Sequence, residues 1–524
     1  MKKVLLIMLL ALIGLRTNAQ ITFQKIYGGY RYSCAFSVQK TTDGGYIMVG
    51  YIQGVTGDTT SVYLVKTNVY GDTLWTRTFG ENNESEGKCV QQTTDGGYVI
   101  VGETQDFGAG YYDVYLIKTN SSGDTLWTRT YGGIGRDEGW SVQQTTDGGY
   151  IIAGETSDFG APINGYNAYL IKTNANGDTL WTKAYGNGAI FQMYAFHVQQ
   201  TSDGGYILCG SILDTLSNNL SYLLKTNSVG DELWFKTFFA GIESVQQTTD
   251  GGYIMTGPYG KVLLLKTNAF GDTLWTRAYG GTGVDGGQAV EQTSDGGYII
   301  AGQTGSFGAQ YAVNLYLIKT NANGDTLWSR VLGSDTATNF NNPQDNAMDV
   351  HQTTDGGYII AGRTVSFGDG EQNFYLIKTD SLGYSGCNEW QPATVQSMTN
   401  TIVGSLSFRV FNGAIINSHL ANVGRGGIVT DLCQTTGINE ITNNNSISIY
   451  PNPTSGTFTL SYNSQLSIQN SQLKIYDVLG QEVYTQAITN PNQTSITISQ
   501  LSNGVYFYQV TNGKETYRGK FVKE

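Results

Sequence analysis

Three stretches of this 524-residue chain gather side chains that could do chemistry. Glu81 to Glu86 holds three carboxylates, and Asp137-Glu138-Gly139-Trp140 sets two acids beside an indole. Phe191-Gln192-Met193-Tyr194-Ala195-Phe196-His197 is aromatic and carries one imidazole. Tyr111 and Tyr112 (followed by Asp113), Tyr166 and Tyr311 occupy comparable places. Aromatic faces beside carboxylates and amides suit sugar stacking with polar readout of hydroxyls. Two such carboxylates, far apart in sequence, could also serve as acid and base in glycoside cleavage. The plainer alternative is that these loop tips fold back onto their scaffold. The three histidines are His197, His351 and His419, and His351 stands where other segments carry Gln144 or an equivalent. No His-Glu-x-x-His, no Gly-x-Ser-x-Gly elbow and no metal-type Cys or His spacing occurs, so neither metal nor cofactor is expected.

The scaffold that must position these residues is a repeat. Gln143-Gln144-Thr145-Thr146-Asp147-Gly148-Gly149-Tyr150-Ile151-Ile152-Ala153-Gly154 is followed, after a variable insert, by Tyr169-Leu170-Ile171-Lys172-Thr173-Asn174-Ala175-Asn176-Gly177-Asp178-Thr179-Leu180-Trp181. The Asp of the Asp-Gly-Gly-Tyr core recurs at 43, 95, 147, 203, 250, 295 and 355, at intervals of 45 to 60 residues. A period of this length points to a solenoid or a propeller. Each copy divides into four strand-like runs joined alternately by tight turns and variable loops, because Asp-Gly and Gly-Gly supply the positive φ that hairpins need. Four strands in each of seven copies predict an all-β, seven-bladed β-propeller. The seventh copy loses its Asp-Thr-Leu-Trp strand after Gly383, whereas Phe23-Gln24-Lys25-Ile26-Tyr27-Gly28-Gly29 aligns with Trp127 to Gly133. The N-terminal strand is therefore expected to complete the last blade and remove an exposed edge. Residues present in every copy, including the turn Asp and the Lys of Lys-Thr, are assigned to architecture. Function is sought in the exceptions.

Composition narrows the partners. The formal net charge is −12, and nearer −15 once the leader cations Lys2, Lys3 and Arg16 are set aside, which disfavours nucleic acid and anionic membrane surfaces. Met1 to Ala19 reads as a secretory signal with an apolar run from Val4 to Leu15, too short for a comfortable span, and no integral membrane segment is expected in the mature chain. Of the five cysteines, Cys209 replaces Ala153 in an apolar strand, and Cys387 and Cys433 bracket a segment outside the repeat. An export compartment would permit that last pair to bond.

Two resemblances follow from these residues. The Gly123-Asp124-Thr125-Leu126-Trp127 hairpin, with Trp75, Trp181, Trp234, Trp275 and Trp328 in the same place elsewhere, resembles the tryptophan-docking hairpin of pyrroloquinoline quinone-type propellers. That likeness implies an outermost fourth strand and is no evidence of a quinone site. Beyond the linker Asn443-Asn444-Asn445, a new module opens with Ile447 to Leu460, continues through Leu473 to Val483 and closes with Leu501 to Val510. It closely resembles the type A C-terminal sorting domain of the type IX secretion system of Bacteroidetes-like bacteria. The motif positions are Tyr450, Pro451, Asn452, Pro453, Gly456, Asp477, Gly480, Gly504 and Tyr506. The resemblance implies passage through the outer membrane by the type IX machinery, with display or release outside, and alternating strands imply a small Ig-like β-sandwich. The upstream repeats also look like the Asp-Gly-Gly-Tyr propellers that often accompany this domain.

The expected organisation is thus a signal peptide over 1–19, a propeller over 20–383, a Cys-bracketed β segment and linker over 384–442, and the sorting domain over 443–524. The expected function is a binding or adhesion scaffold that takes a glycan or protein through asymmetric loops. A carbohydrate-active hydrolase or lyase and a purely structural surface protein are the alternatives.

Overall fold

The constant turn shows why the cassette cannot vary. In the third repeat, the strands Asp137–Gln144, Tyr150–Thr156, Asn167–Thr173 and Thr179–Gly186 pair antiparallel in order. Gly148 has φ +84, in the region where a Cβ is strained, and a Cβ on Gly149 would stand 2.0 Å from the Thr173 carbonyl oxygen. Lys172 lies buried against that same carbonyl, donating to it at 2.8 Å, and pairs with Asp147 at 2.9 Å. The two constant blocks of the cassette are therefore the two halves of one lock. It recurs as Lys66–Asp43, Lys118–Asp95, Lys225–Asp203, Lys266–Asp250, Lys319–Asp295 and Lys378–Asp355. Partial burial raises the Asp147 carboxyl, but hydrogen bonds from Thr145, Lys172 and Gly149 outweigh it and bring the group down to about 2.

The computed structural model describes residues 20–392 apart from 29–31, 55–58, 162–164, 187–191, 214–218, 309–311, 335–343 and 369–370. It further describes short strands between 395 and 432, and residues 448–523 apart from 451–453, 462–470, 478–479, 489–493 and 512–515. Every described element is a strand, bend or turn. The chain divides into two units, Met1–Gln434 and Thr435–Glu524.

In the first unit, each copy of the cassette forms a four-stranded antiparallel set that packs on the next, and the fifth and sixth sets are joined into one sheet by the Pro258–Gly286 pairing. Phe79, Ile100 and Tyr115 join the first repeat to the second, and equivalent buried clusters occupy the following junctions. Each fourth-strand tryptophan docks on the glycine turn of the following repeat, so a Cβ on Gly123 would lie 2.7 Å from the Trp75 ring and one on Gly177 2.7 Å from Trp127. The neighbouring cation completes the contact, as in Arg77–Asp124 at 3.0 Å.

Phe23–Gly28 pairs antiparallel with Asn373–Thr379 of the seventh repeat, the position of a fourth strand. Phe23 then meets Gly71 of the first repeat as a tryptophan does elsewhere, Lys25 pairs with Asp72 at 2.7 Å, and Tyr27 donates to the Gly71 carbonyl at 2.5 Å. Tyr46, Met48 and Tyr63 of the first repeat share a core with Ile359, Ala361, Phe374 and Leu376 of the seventh. Along the first strands, a glutamine side chain accepts the backbone N–H of the next repeat: Gln91 from Gln144, Gln143 from Gln200, and Gln199 from Gln247. Glu291 does the same for Gln352 at 3.1 Å. His351 falls in this row at the register of Gln143, not of Gln144 as the sequence suggested, and its Nδ1 meets Glu291 at 2.7 Å.

The fourth strand is not the outermost one, in contrast to what the docking-hairpin likeness implies. An open four-stranded sheet has two edges, and short strands from residues 389–431 pair with the fourth-strand edge throughout the first unit. Cys387 is disulfide-bonded, whereas Cys34, Cys89 and Cys209 carry free thiols. The expected partner, Cys433, lies outside the described residues. Cys209 is fully buried, as the apolar register of its strand requires.

In the second unit, Ser448–Tyr450, Thr457–Ser461 and Thr494–Thr497 form one sheet. Glu482–Ile488, Ser471–Tyr476, Gly504–Thr511 and Thr516–Lys523 form another. Phe458, Leu460, Leu473, Ile475, Val510 and Phe521 build a core shared by both. Gly456 (φ +125) leads into a strand, and Gly480 (φ +79) completes a turn in which Asp477 Oδ1 accepts the Gln481 N–H at 2.9 Å. Tyr506 stacks on Phe521 at 5.6 Å and donates to the Ser502 carbonyl at 2.7 Å, and Gly504 opens its strand. Tyr450 ends the first strand. Pro451, Asn452 and Pro453 lie outside the described residues.

Candidate acid–aromatic site

The first strand of each regular repeat carries a β-bulge at one fixed place, between Ala35 and Ser37, Gly87 and Cys89, Gly139 and Ser141, and Ala195 and His197 in the first four repeats. A bulge leaves one residue unpaired and re-aims its side chain. The bulged residues here are Phe36, Lys88, Trp140 and Phe196. They form a continuous row: the Lys88 ammonium lies 4.7 Å from the Phe36 ring centroid and 4.9 Å from that of Trp140, and Trp140 meets Phe196 edge-on at 6.0 Å. Tyr194 stacks on Phe196 at 6.3 Å and Tyr166 packs on Tyr194 at 5.6 Å, so the aromatic surface extends across the third and fourth repeats.

Two cross-strand carboxylate pairs lie under this row. Glu86 stands opposite Glu103 in the second repeat, and Glu138 opposite Glu155 in the third. Like charges directly opposite on a sheet are destabilising. The same two positions read Cys34/Tyr51, Tyr194/Ser211, Gly286/Gln303 and Asn346/Arg363 in other repeats, so the blade itself does not require acids there. Lys88 separates the first pair, at 2.5 Å from Glu86 and 3.1 Å from Glu103. Arg136 pairs with Glu138, reaches Glu103 at 3.7 Å and lies over the Tyr112 ring at 4.6 Å from its centroid. Tyr112 in turn donates to Glu84. Glu103, Glu138, Glu155 and Lys88 are all buried, while Arg136, Tyr166 and Tyr194 reach solvent.

Four acids share two cations, and the imbalance appears as proton uptake. Burial raises Glu155 to about 8, with Glu138 adding to the rise and Arg136 opposing it. Burial also raises Glu103, against the pull of Lys88. This geometry favours the neutral form of Glu155 under an aromatic face. A second carboxyl pair supports the loop that delivers Arg136. Asp137 accepts the Gly133 N–H at 2.9 Å, Asp158 accepts the Gly135 N–H at 2.8 Å, and burial lifts Asp137 to about 8, with Asp158 adding to the rise. The second, sixth and seventh repeats use one acid and one serine there: Ser85–Asp106, Asp285–Ser306 and Asp345–Ser366.

Of the sequence-derived candidates, the structure brings Tyr112, Trp140, Tyr166 and Tyr194 into this one region. Tyr111 is 62% exposed and packs edge-on against Tyr112 at 4.8 Å, beside the region. Tyr311 lies outside the described residues. Trp140 belongs to a strand rather than a loop. Lys88, Glu103 and Glu155 escaped sequence reading, although the residue after the constant glycine of the second strand varies from Tyr51 through Glu103, Glu155, Ser211 and Pro258 to Gln303 and Arg363. That inconstancy within a constant strand was the available signal. Among the described residues, no group of three His, Cys, Asp or Glu side chains could hold a metal ion.

Residues 448–524 match the family model of the secretion system C-terminal sorting domain. The match indicates export by the type IX system to the cell surface or the extracellular space. No curated protein matches the chain. Among solved structures, it is similar to a protein of unknown function from Bacteroides caccae, at 14% identity and TM-score 0.33, over 54% of this chain and 90% of that one. It is likewise similar to an unknown function protein from Dyadobacter fermentans, at 10% identity and TM-score 0.34, over 68% and 98%. Sqt1 from Chaetomium thermophilum is similar at 8% identity and TM-score 0.36, over 66% and 84%. Among the described residues, no helix is long and apolar enough to cross a membrane.

Proposed function

We propose that this chain is an exported, seven-bladed β-propeller, closed by Phe23–Gly28, that binds a glycan on the acid–aromatic surface of its second to fourth blades. An Ig-like domain over 443–524 carries it through the type IX machinery. The observation that supports the reading is local asymmetry: the carboxylate pairs Glu86/Glu103 and Glu138/Glu155, all buried but Glu86 and none required by the blade, lie beneath Trp140, Phe196, Tyr194 and Tyr166. Aromatic faces stack on the apolar side of a pyranose ring, while Arg136 and the carboxylates bond its hydroxyls. Glycan-array screening of the full chain, then calorimetry with Tyr194→Ala and with Tyr70→Ala as a remote control, tests this. Binding that falls at least tenfold only in Tyr194→Ala supports it, and an equal affinity in both variants would refute it.

A hydrolase reading draws support from one further feature: Glu155, which burial raises toward its neutral form, stands directly opposite Glu138, and two carboxyls so placed could serve as general acid and base. Release of reducing ends from an array-positive glycan would favour it. Release that persists with both residues changed to Gln would remove it.

A further inference from the structure

The second repeat holds an ammonium of its own in a nest of acids and aromatic rings. Lys88 lies 2.5 Å from Glu86 and 3.1 Å from Glu103, with the Phe36 and Trp140 ring centroids at 4.7 Å and 4.9 Å. Burial opposes the Lys88 charge, but Glu103 and Glu86 more than restore it. The ring faces add the attraction of their quadrupoles for a cation.

The third repeat builds the same nest without a lysine. Glu138 and Glu155 stand opposite one another as Glu86 and Glu103 do, and the bulge that carries Lys88 in the second repeat carries Trp140 here. Arg136 pairs with Glu138, whereas no cation among the described residues lies within ion-pair distance of Glu155. The chain leading into Tyr166 and Gln192, residues 162–164 and 187–191, contains neither Lys nor Arg. Glu155 is only 6% exposed, and a buried carboxyl is normally paired. The Trp140 indole N–H faces it outside hydrogen-bonding geometry, so that buried nitrogen is unpartnered too. Burial raises the Tyr194 hydroxyl to about 12 with Glu155 adding to the rise, and burial also raises Tyr166, with Arg136 opposing and Glu155 adding. Both rings therefore stand in the field of this carboxyl, and both reach solvent. A hard metal ion needs roughly six oxygen ligands, more than this pair supplies. An organic ammonium needs a carboxylate and ring faces, as Lys88 shows.

We infer, resting on the glycan reading above, that the Glu138/Glu155 nest takes the protonated amine of an amino sugar, with Glu155 as its counter-ion and Tyr166, Tyr194 and Trp140 around it. The N-acetylated form of the same sugar carries no charge and leaves Glu155 unpaired. Pairing also moves a proton. Burial, Glu138 and Glu103 hold Glu155 toward its neutral form against Arg136, at about 8, and the Tyr222 hydroxyl shares its field. An arriving ammonium pulls Glu155 down as Lys88 pulls Glu103, so below that value Glu155 gives up its proton to solvent on binding.

The test is calorimetry of the full chain with a glucosamine oligomer and with its fully N-acetylated counterpart. Two buffers of different ionisation enthalpy, both at about pH 6.5, keep the amine charged and report any released proton. The nest requires the amine oligomer to bind at least tenfold tighter than the acetylated one, with a proton released. Glu155→Gln should lose both the preference and the released proton, while the remote Tyr70→Ala keeps both. Equal affinity for the two oligomers, or tighter binding of the acetylated one, would overturn the ammonium site and leave the glycan reading in place. Binding of neither would also overturn the site, and the array then decides the glycan reading separately. A preference that survives in Glu155→Gln would put the amine elsewhere and overturn the assignment. A lysine tripeptide that binds where the amine oligomer does not would overturn both readings in favour of a protein ligand. Should Glu155→Gln not fold, the presence or absence of proton release in the wild-type chain decides the matter.

Discussion

Changing Glu155 to Gln should stabilise the first unit, and only above mildly acidic pH. In the folded chain, burial and Glu138 raise Glu155 from the ordinary 4.5 to about 8. A group whose folded-state value is raised contributes stability below its unfolded value and loses it as pH rises. Wild-type stability therefore falls between about pH 4.5 and pH 8 on account of this residue. At ~1.4 kcal/mol per pH unit, that interval sets an upper limit of roughly 5 kcal/mol. Relaxation of Arg136 and entry of water reduce such penalties in real interiors, leaving an expected gain of about 2 kcal/mol for the isosteric amide. All eight tryptophans lie in Met1–Gln434, so tryptophan emission during guanidinium unfolding reports on this unit alone. Glu155→Gln and wild type should unfold together at pH 4.5 and separate progressively to pH 8, with the variant the more stable. A variant less stable than wild type at pH 8, or a pH-independent difference, would refute the electrostatic reading. The gain would also mark Glu155 as retained at a cost to stability, which is the pattern of a functional residue.

Three further perturbations probe the frame. Gly149→Ala forces a Cβ to within 2.0 Å of the Thr173 carbonyl and should cost about 3 kcal/mol, whereas Gly148→Ala meets open space and should cost only about 1 kcal/mol for its positive φ. The reverse order in urea unfolding would contradict the lock. Phe23→Ala should cost about 3–4 kcal/mol, because Phe23 is 4% exposed and packs on Tyr46 and Gly71 at the junction of the last and first repeats. A loss below about 1 kcal/mol would mean that the N-terminal strand does not close the sheet. His351→Ala tests the glutamine row: burial opposes the charge, but Asp349 and Glu291 lift His351 to about 10. Its stabilisation is therefore full below about 6.5 and lost as pH rises through about 10. Because 34% of the side chain reaches solvent, the variant should lose only about 1–2 kcal/mol at pH 6, with the gap closing towards pH 10 in thermal melts.

Much of the frame was legible because its signals are local. An Asp-Gly-Gly turn demands particular backbone angles wherever it occurs, and a tryptophan at one fixed place must dock on something, here the glycine turn of the next repeat. The alignment of Phe23 to Gly28 with Trp127 to Gly132 led directly to a pairing that the structure contains. The set of short edge-pairing strands between residues 389 and 431 was not legible. Its strands are held by backbone edges, which impose no side-chain period, and pieces such as Val403-Gly404 are shorter than any pattern. The site was half legible. Trp140 and Tyr194 stood out as aromatics beside acids, but Glu103 and Glu155 sit inside apolar strands, and only the bulge brings Lys88 and Trp140 over them. A bulge adds one residue without changing composition, so a sequence pattern carries it silently.

The most direct measurement is deuterium exchange of the full chain with and without a saturating array-positive oligosaccharide. Glycan binding on the asymmetric surface requires protection confined to Arg136–Trp140 and Gln192–His197, with the equivalent Asp285–Ala289 of the sixth repeat unchanged. Protection centred on any other repeat, or none at saturation, would contradict it.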